Sequence, residues 1–141
     1  IFEVVALFEL AREGLDLATF WGQEGADVPQ AAFRIFRNYD GLHHGFGDRG
    51  VKAVSGAQGR VSVYAARRGS SGPLTIVVVN KTGSTQPSPL ALENFPHART
   101  AQVYRYSGGG VAKVGPVTTG KGGFTLSYPK QSVTLVAVSP S

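Results

Sequence analysis

Eight carboxylates fall in the first 48 residues: Glu3, Glu9, Glu13, Asp16, Glu24, Asp27, Asp40 and Asp48. Two carboxylates facing each other across a cleft can cut a glycosidic bond, one as acid and the other as nucleophile or base. Glu9 and Glu13 stand four apart and so share one face of a helix, where paired acids are usually just solvated. Glu24 is better placed, in a polar loop that follows an apolar run, though a hydrated loop charge has the same signature. Trp21, the chain's one tryptophan, stands close by. Its indole can stack on the apolar face of a sugar in a pocket or fill core volume, and both readings stay open.

His43 and His44 are adjacent and near Asp40 and Asp48. A zinc site would need a third ligand at fitting geometry, and a calcium site would need several oxygens. Turn structure accounts for these residues, and for the isolated His97, more simply. No metal or cofactor is expected. The chain has no G-x-S-x-G elbow, no H-E-x-x-H and no phosphate-binding P-loop. "YSGGGV" at 106–111 and "GKGG" at 120–123 are glycine-rich, but neither joins a strand to a helix. They read as hairpin turns.

The elements that must position these residues change character along the chain. Residues 1–13, "IFEVVALFELARE", repeat Ile1, Val4, Val5, Phe8 and Ala11 at helical spacing, with a valine-rich strand as the competing reading. Gly14 is a fitting stop. Residues 15–21 read as a mostly buried strand of the kind found in parallel sheets. A polar loop follows. Pro29 suits the first turn of a second helix, with Asp27 as a cap and Ala32, Phe33, Phe36 and Tyr39 on one face. The helix ends at "NYDG". Beyond that the period drops to two. "GVKAVSG", "RVSVYAA", "LTIVVVNK", "AQVYRYS", "GVAKVGPV", "GFTLSYP" and "QSVTLVAVS" are strand candidates separated by turn residues, and "KTGSTQPSPLALENFPHA" is a long connection. Together these later segments read as a β-sandwich.

Composition narrows the function. With 141 residues the chain can hold one real core. Cysteine is absent, which excludes disulfides, thiolate metal sites and a cysteine nucleophile. The chain opens in "IFEVVALFEL" without methionine, as an internal or processed piece would. No apolar run is long enough to span a membrane. Residues 1–48 carry eight acids and three bases, whereas 49–141 carry one acid, Glu93, and eleven bases. The bases are scattered along strands and turns without a recognition helix or an aromatic RNA-binding strand. Neither nucleic acid nor membrane is therefore expected as a partner.

"LAREGLDLATFWG", then "AAFRIFRNYDG", "FGD", "VSVYAA" and "LTIVVVNK", in that order, resemble the C-terminal part of family 44 glycoside hydrolases. The resemblance thins after Lys81. It implies a retaining endo-β-1,4-glucanase acting on cellulose-like or xyloglucan-like glucans, with a (β/α)8 barrel joined to a β-sandwich. The expected fold class is thus mixed: terminal α/β units of a barrel over residues 1–40, followed by an all-β sandwich over 41–141. By the same resemblance Trp21 lines the glucan cleft, and the enzyme is secreted. The resemblance implies that the catalytic glutamates lie upstream of Ile1, since no glutamate here matches either motif of the family. This chain alone is expected to be inactive.

Two other readings stand beside this one. One is a free-standing β-sandwich module that binds carbohydrate, and the other is a scaffold that braces a barrel. Tyr64, Tyr104, Tyr106, Phe124 and Tyr128 are the candidates for exposed aromatics. Tyr104 and Tyr106, two apart on a strand, share a face and could form a sugar-stacking strip or pack over the core edge. The expected partners are β-1,4-glucan and either the missing barrel or a second copy. Ile1, Val4, Val5 and Phe8 make an apolar stripe that lacks cover without one of these.

Overall fold

The computed structural model describes residues 1–19, 27–95, 100–108, 110–120 and 122–140. Helices α1 (Phe2–Arg12) and α2 (Asp27–Arg37) precede strands β1 (Arg49–Val51), β2 (Val61–Arg67), β3 (Leu74–Asn80), β4 (Gln86–Ala91), β5 (Thr100–Tyr106), β6 (Val111–Thr118), β7 (Gly123–Tyr128) and β8 (Ser132–Val138). Six strands form one sheet in the order β1–β2–β3–β8–β5–β6, while β4 and β7 form a second. Every strand pairing is antiparallel.

α1 ends where its sequence directs. Gly14 has φ 85, its N–H bonds the Ala11 carbonyl, and the Leu15 N–H reaches back to Leu10. This double closure over a left-handed residue is available to glycine at no steric cost. In α2, Ala31, Ala32 and Ile35 are buried while Arg34 and Arg37 face out. The innermost face is thus turned slightly from the expected one, leaving Phe33 and Phe36 on its flank.

β3 is buried at all seven positions, because both faces of the large sheet are covered. Val77 and Val79 pack with Val4 and Phe8 of α1, Ile35 of α2, and Tyr39. Leu74, Ile76 and Val78 point the other way, toward Phe124 and Tyr128 of β7. The layers are therefore helices, six-stranded sheet and two-stranded sheet. Asn80, fully buried at the end of β3, ties the two sheets. Its Nδ2 donates to the carbonyls of Ser84, Tyr128 and Pro129 at 2.8, 3.0 and 2.9 Å, and its Oδ1 accepts the Thr82 N–H at 2.9 Å.

The structure corrects several expectations. Residues 15–19, the described part of the expected strand, are not strand. A strand needs a ladder partner, and the described residues supply none there. The long connection contains β4, although Pro87 and Pro89 argue against a strand. Prolines two apart turn their missing N–H to the same side, and β4 has a partner on one side only, so its ladder with β7 survives. The first glycine-rich turn does close a hairpin, with Tyr106 opposite Val111. The second is a tight turn bridged by Gly120 and Gly123, but it hands the chain from one sheet to the other. Part of the α1 stripe also finds cover within the chain: Val4 and Phe8 are 2% and 4% exposed.

Candidate functional site

A groove of about 880 Å³ runs along the seam between the helices and the outer edge of β2. Phe8, Phe36 and Phe46 meet on one side of it, with ring centroids 4.5–6.0 Å apart. Phe8 also stacks on Tyr64 at 4.2 Å with the rings nearly parallel. The Tyr64 hydroxyl donates to Glu9 Oε1 at 2.8 Å, and Arg12 holds Glu9 Oε2 at 2.9 Å. Burial, then the bond to Glu9, raises the Tyr64 pKa above its ordinary value. The chain crosses from α2 into the sheet beside this groove. The crossing is close enough that a Cβ on Gly47 would sit 2.6–2.7 Å from the backbone of Ala66 and Arg67.

The link itself is tied down. Asp40 Oδ1 accepts the N–H groups of Leu42 and His44, and Oδ2 meets His44 Nδ1 at 2.5 Å. Burial acts to raise the Asp40 pKa, but the hydrogen bonds from the His44 side chain and the two amides outweigh it, and the net direction is down. Asp48 Oδ1 accepts the Gly69 N–H at 2.7 Å. These carboxylates hold turns, and no group of three or more metal-ligating side chains forms among the described residues.

Glu9 is drawn into the Tyr64–Arg12 chain while Glu13 caps α1 in solvent, so the two do not act together. Trp21, Glu24 and His97 lie outside the described residues. Tyr64, Tyr104, Phe124 and Tyr128, expected as exposed aromatics, are 6%, 8%, 8% and 1% exposed. Tyr104 packs on Tyr39 at 5.0 Å and Tyr106 is half-buried, so Tyr106 is the accessible member of the pair. Among the described residues lining the groove, Asp48 is the one carboxylate. A retaining hydrolase needs two carboxyl groups about 5 Å apart. Among the described residues the groove does not present that pair. Sequence reasoning missed Arg37 and Lys52 in its wall, since a lone base has no local signature.

No family model matches the chain. Endoglucanase A of Paenibacillus lautus is 35% identical over 78 residues, which is 54% of this chain and 11% of that protein. CelM2, a bifunctional glucanase-xylanase from a metagenome library, matches 99% of this chain with TM-score 0.91 and 34% identity, over 27% of its own length. A Paenibacillus polymyxa xyloglucanase matches 99% with TM-score 0.91 at 23% identity, a likeness of fold, over 28% of its length. The mostly β fold with two helices is thus that of one portion of larger glycoside hydrolases. The xyloglucanase belongs to glycoside hydrolase family 44, the family that the motifs of this chain resemble. The chain spans about a quarter of the solved relatives it matches.

Proposed function

We propose that the chain is the C-terminal portion of a retaining endo-β-1,4-glucanase acting on cellulose-like or xyloglucan-like glucans. The observation that carries this is the match to CelM2 over nearly the whole chain at 34% identity. In this reading α1 and α2 are the last helices of a (β/α)8 barrel, and residues 1–40 belong to it. Residues 15–21 become its final strand when the neighbouring strands are present, and 41–141 form the β-sandwich. Trp21 and Glu24 line the glucan cleft, while the catalytic glutamates lie upstream of Ile1. Secretion follows from a polymeric substrate outside the cell.

Exposed apolar side chains support the missing cover. α1 is apolar on both sides. While Val4 and Phe8 face the sheet, Phe2 is 78% and Leu10 44% exposed, and Leu15 and Leu17 beyond it are 48% and 78% exposed. Apolar side chains on a second side of a helix call for a second covering surface. The complete protein should release reducing sugar from carboxymethylcellulose and xyloglucan, and Trp21→Ala in it should weaken substrate binding. A complete protein that cleaves neither glucan would overturn the proposal.

One observation favours the second reading, a free-standing carbohydrate-binding module: Val4 and Phe8 are covered by the chain's own sheet. Sedimentation separates the two. The enzyme-portion reading expects this chain by itself to self-associate through Phe2, Leu10, Leu15 and Leu17, and a strict monomer at all concentrations supports the module.

A further inference from the structure

The groove along the β2 edge has a chemistry of its own. Residues 49–141 hold eleven bases against one acid, and among the described residues none of these bases is in an ion pair. Outside the groove lining, Arg49 and Arg67 stand opposite each other in the β1–β2 register, with Arg67 held by the Gly72 carbonyl and the Phe95 ring. In the groove wall, Arg37 and Lys52 are exposed. Arg68 donates to the Gly45 carbonyl beside Arg37. Asp48 has one oxygen engaged by the Gly69 amide. The same lining carries apolar groups: Phe46 is half-buried, and Val51 and Val54 are 41% and 76% exposed.

We infer that this groove binds an anionic polysaccharide, a chain of uronic acid sugars whose carboxylates meet Arg37 and Lys52 and whose ring faces lie on Phe46 and Val54. Charge complementarity selects an anion, and the apolar groups in the same lining select one with apolar faces. A nucleic acid fits less well, because single strands need aromatic platforms on which to stack and Phe8 and Tyr64 are buried. An extended acidic peptide would bind by adding a strand to the β2 edge. The edge donors are taken, however: the Val61 N–H by the Ala57 carbonyl and the Val63 N–H by Gln58 Oε1. The inference stands apart from the endoglucanase reading, since cleavage of a neutral glucan and binding of a polyuronate are read separately.

The test is titration of the 141-residue chain with polygalacturonate oligomers at low ionic strength, followed by calorimetry or affinity electrophoresis. Binding is expected, weakening as salt screens the charges, with none to the fully methyl-esterified oligomer. Arg37→Glu with Lys52→Glu should weaken binding about tenfold or more, in line with the modest worth of single exposed charge contacts. Lys113→Glu with Lys130→Glu makes the same change in net charge. Lys113 lies on β6, at the sheet edge opposite β1, and this pair should change affinity less than about twofold. Arg37→Gln with Lys52→Gln is the milder variant, read the same way if the charge reversal impairs folding. The inference is overturned by equal losses in the two charge-reversed pairs, by full binding in the groove variants, by no binding to polygalacturonate, or by duplex DNA or polyglutamate binding as tightly.

Discussion

Leu135 in β8 and Leu17 after α1 both sit in apolar runs, yet Leu135 is 1% exposed and Leu17 78%. Leu135 has strands on both sides of it, β3 and β5, and the helical layer against its side chain. Leu17 has no ladder and no cover among the described residues. Apolar sequence makes a strand only where the backbone can find a partner and the side chain a surface. The large sheet brings both within this chain, and the segment after α1 brings neither.

Leu135→Ala should have the largest effect. It removes a side chain enclosed on all sides and should cost about 2–5 kcal/mol, read from denaturant midpoints of the chain. A cost below about 1 kcal/mol would show that the sheet is no better packed than the segment after α1. Asn80→Ala should follow, at about 1–3 kcal/mol, because it removes the buried donor to the Tyr128 carbonyl and the acceptor of the Thr82 N–H. It probes the joint between the two sheets, where the helices take no part.

The pH dependence sharpens the same contrast, with the link and the sheet failing at opposite ends. Asp40 is held below the ordinary aspartate value of 3.8. As pH falls through that range, the unfolded chain takes up its proton first, so the stability Asp40 contributes is present above 3.8 and lost below it. Asp40→Asn should flatten that acid loss. Tyr64, Tyr104 and Tyr128 are held above 10 chiefly by burial. The unfolded chain ionises them first as pH rises past 10, so the sheet weakens on the alkaline side. Urea midpoints measured from pH 2 to 11 would show both limbs. An acid limb unchanged in Asp40→Asn would remove the link from this account.

The smallest effect is expected from Leu17→Ala, within about 0.5 kcal/mol in this chain. In the complete protein the same change should cost more than about 1 kcal/mol if the barrel covers Leu17. Equal costs in both would leave the segment without the cover proposed for it.

Most of the sheet was legible because period-two patterning and turn residues act locally. Six strands were visible in "RVSVYAA", "LTIVVVNK" and their fellows, whereas of "GVKAVSG" only Gly50 and Val51 are strand, in β1. β4 was not, because its prolines disfavour a strand unless both face away from the single partner, a fact of pairing rather than of sequence. The stop at Gly14 was legible for the same local reason. The aromatic residues misled. Tyr64, Phe124 and Tyr128 sit in alternating strands that look half-exposed, and only the layers on both sides bury them. The groove was illegible, since Phe8, Arg37 and Tyr64 are far apart in the chain, and Phe46 and Lys52 reach them only through the crossing at Gly47.

The central proposal is that this chain carries the frame of a family 44 enzyme whose catalytic pair lies upstream of Ile1. The most direct measurement is reducing-sugar release from carboxymethylcellulose and xyloglucan by the purified chain, alongside its Glu24→Gln variant. The account predicts no release above the buffer blank for either, because the described groove lining offers one carboxylate, Asp48, already bonded to an amide. Release by the chain that disappears in Glu24→Gln would contradict it and make Glu24 a catalytic residue.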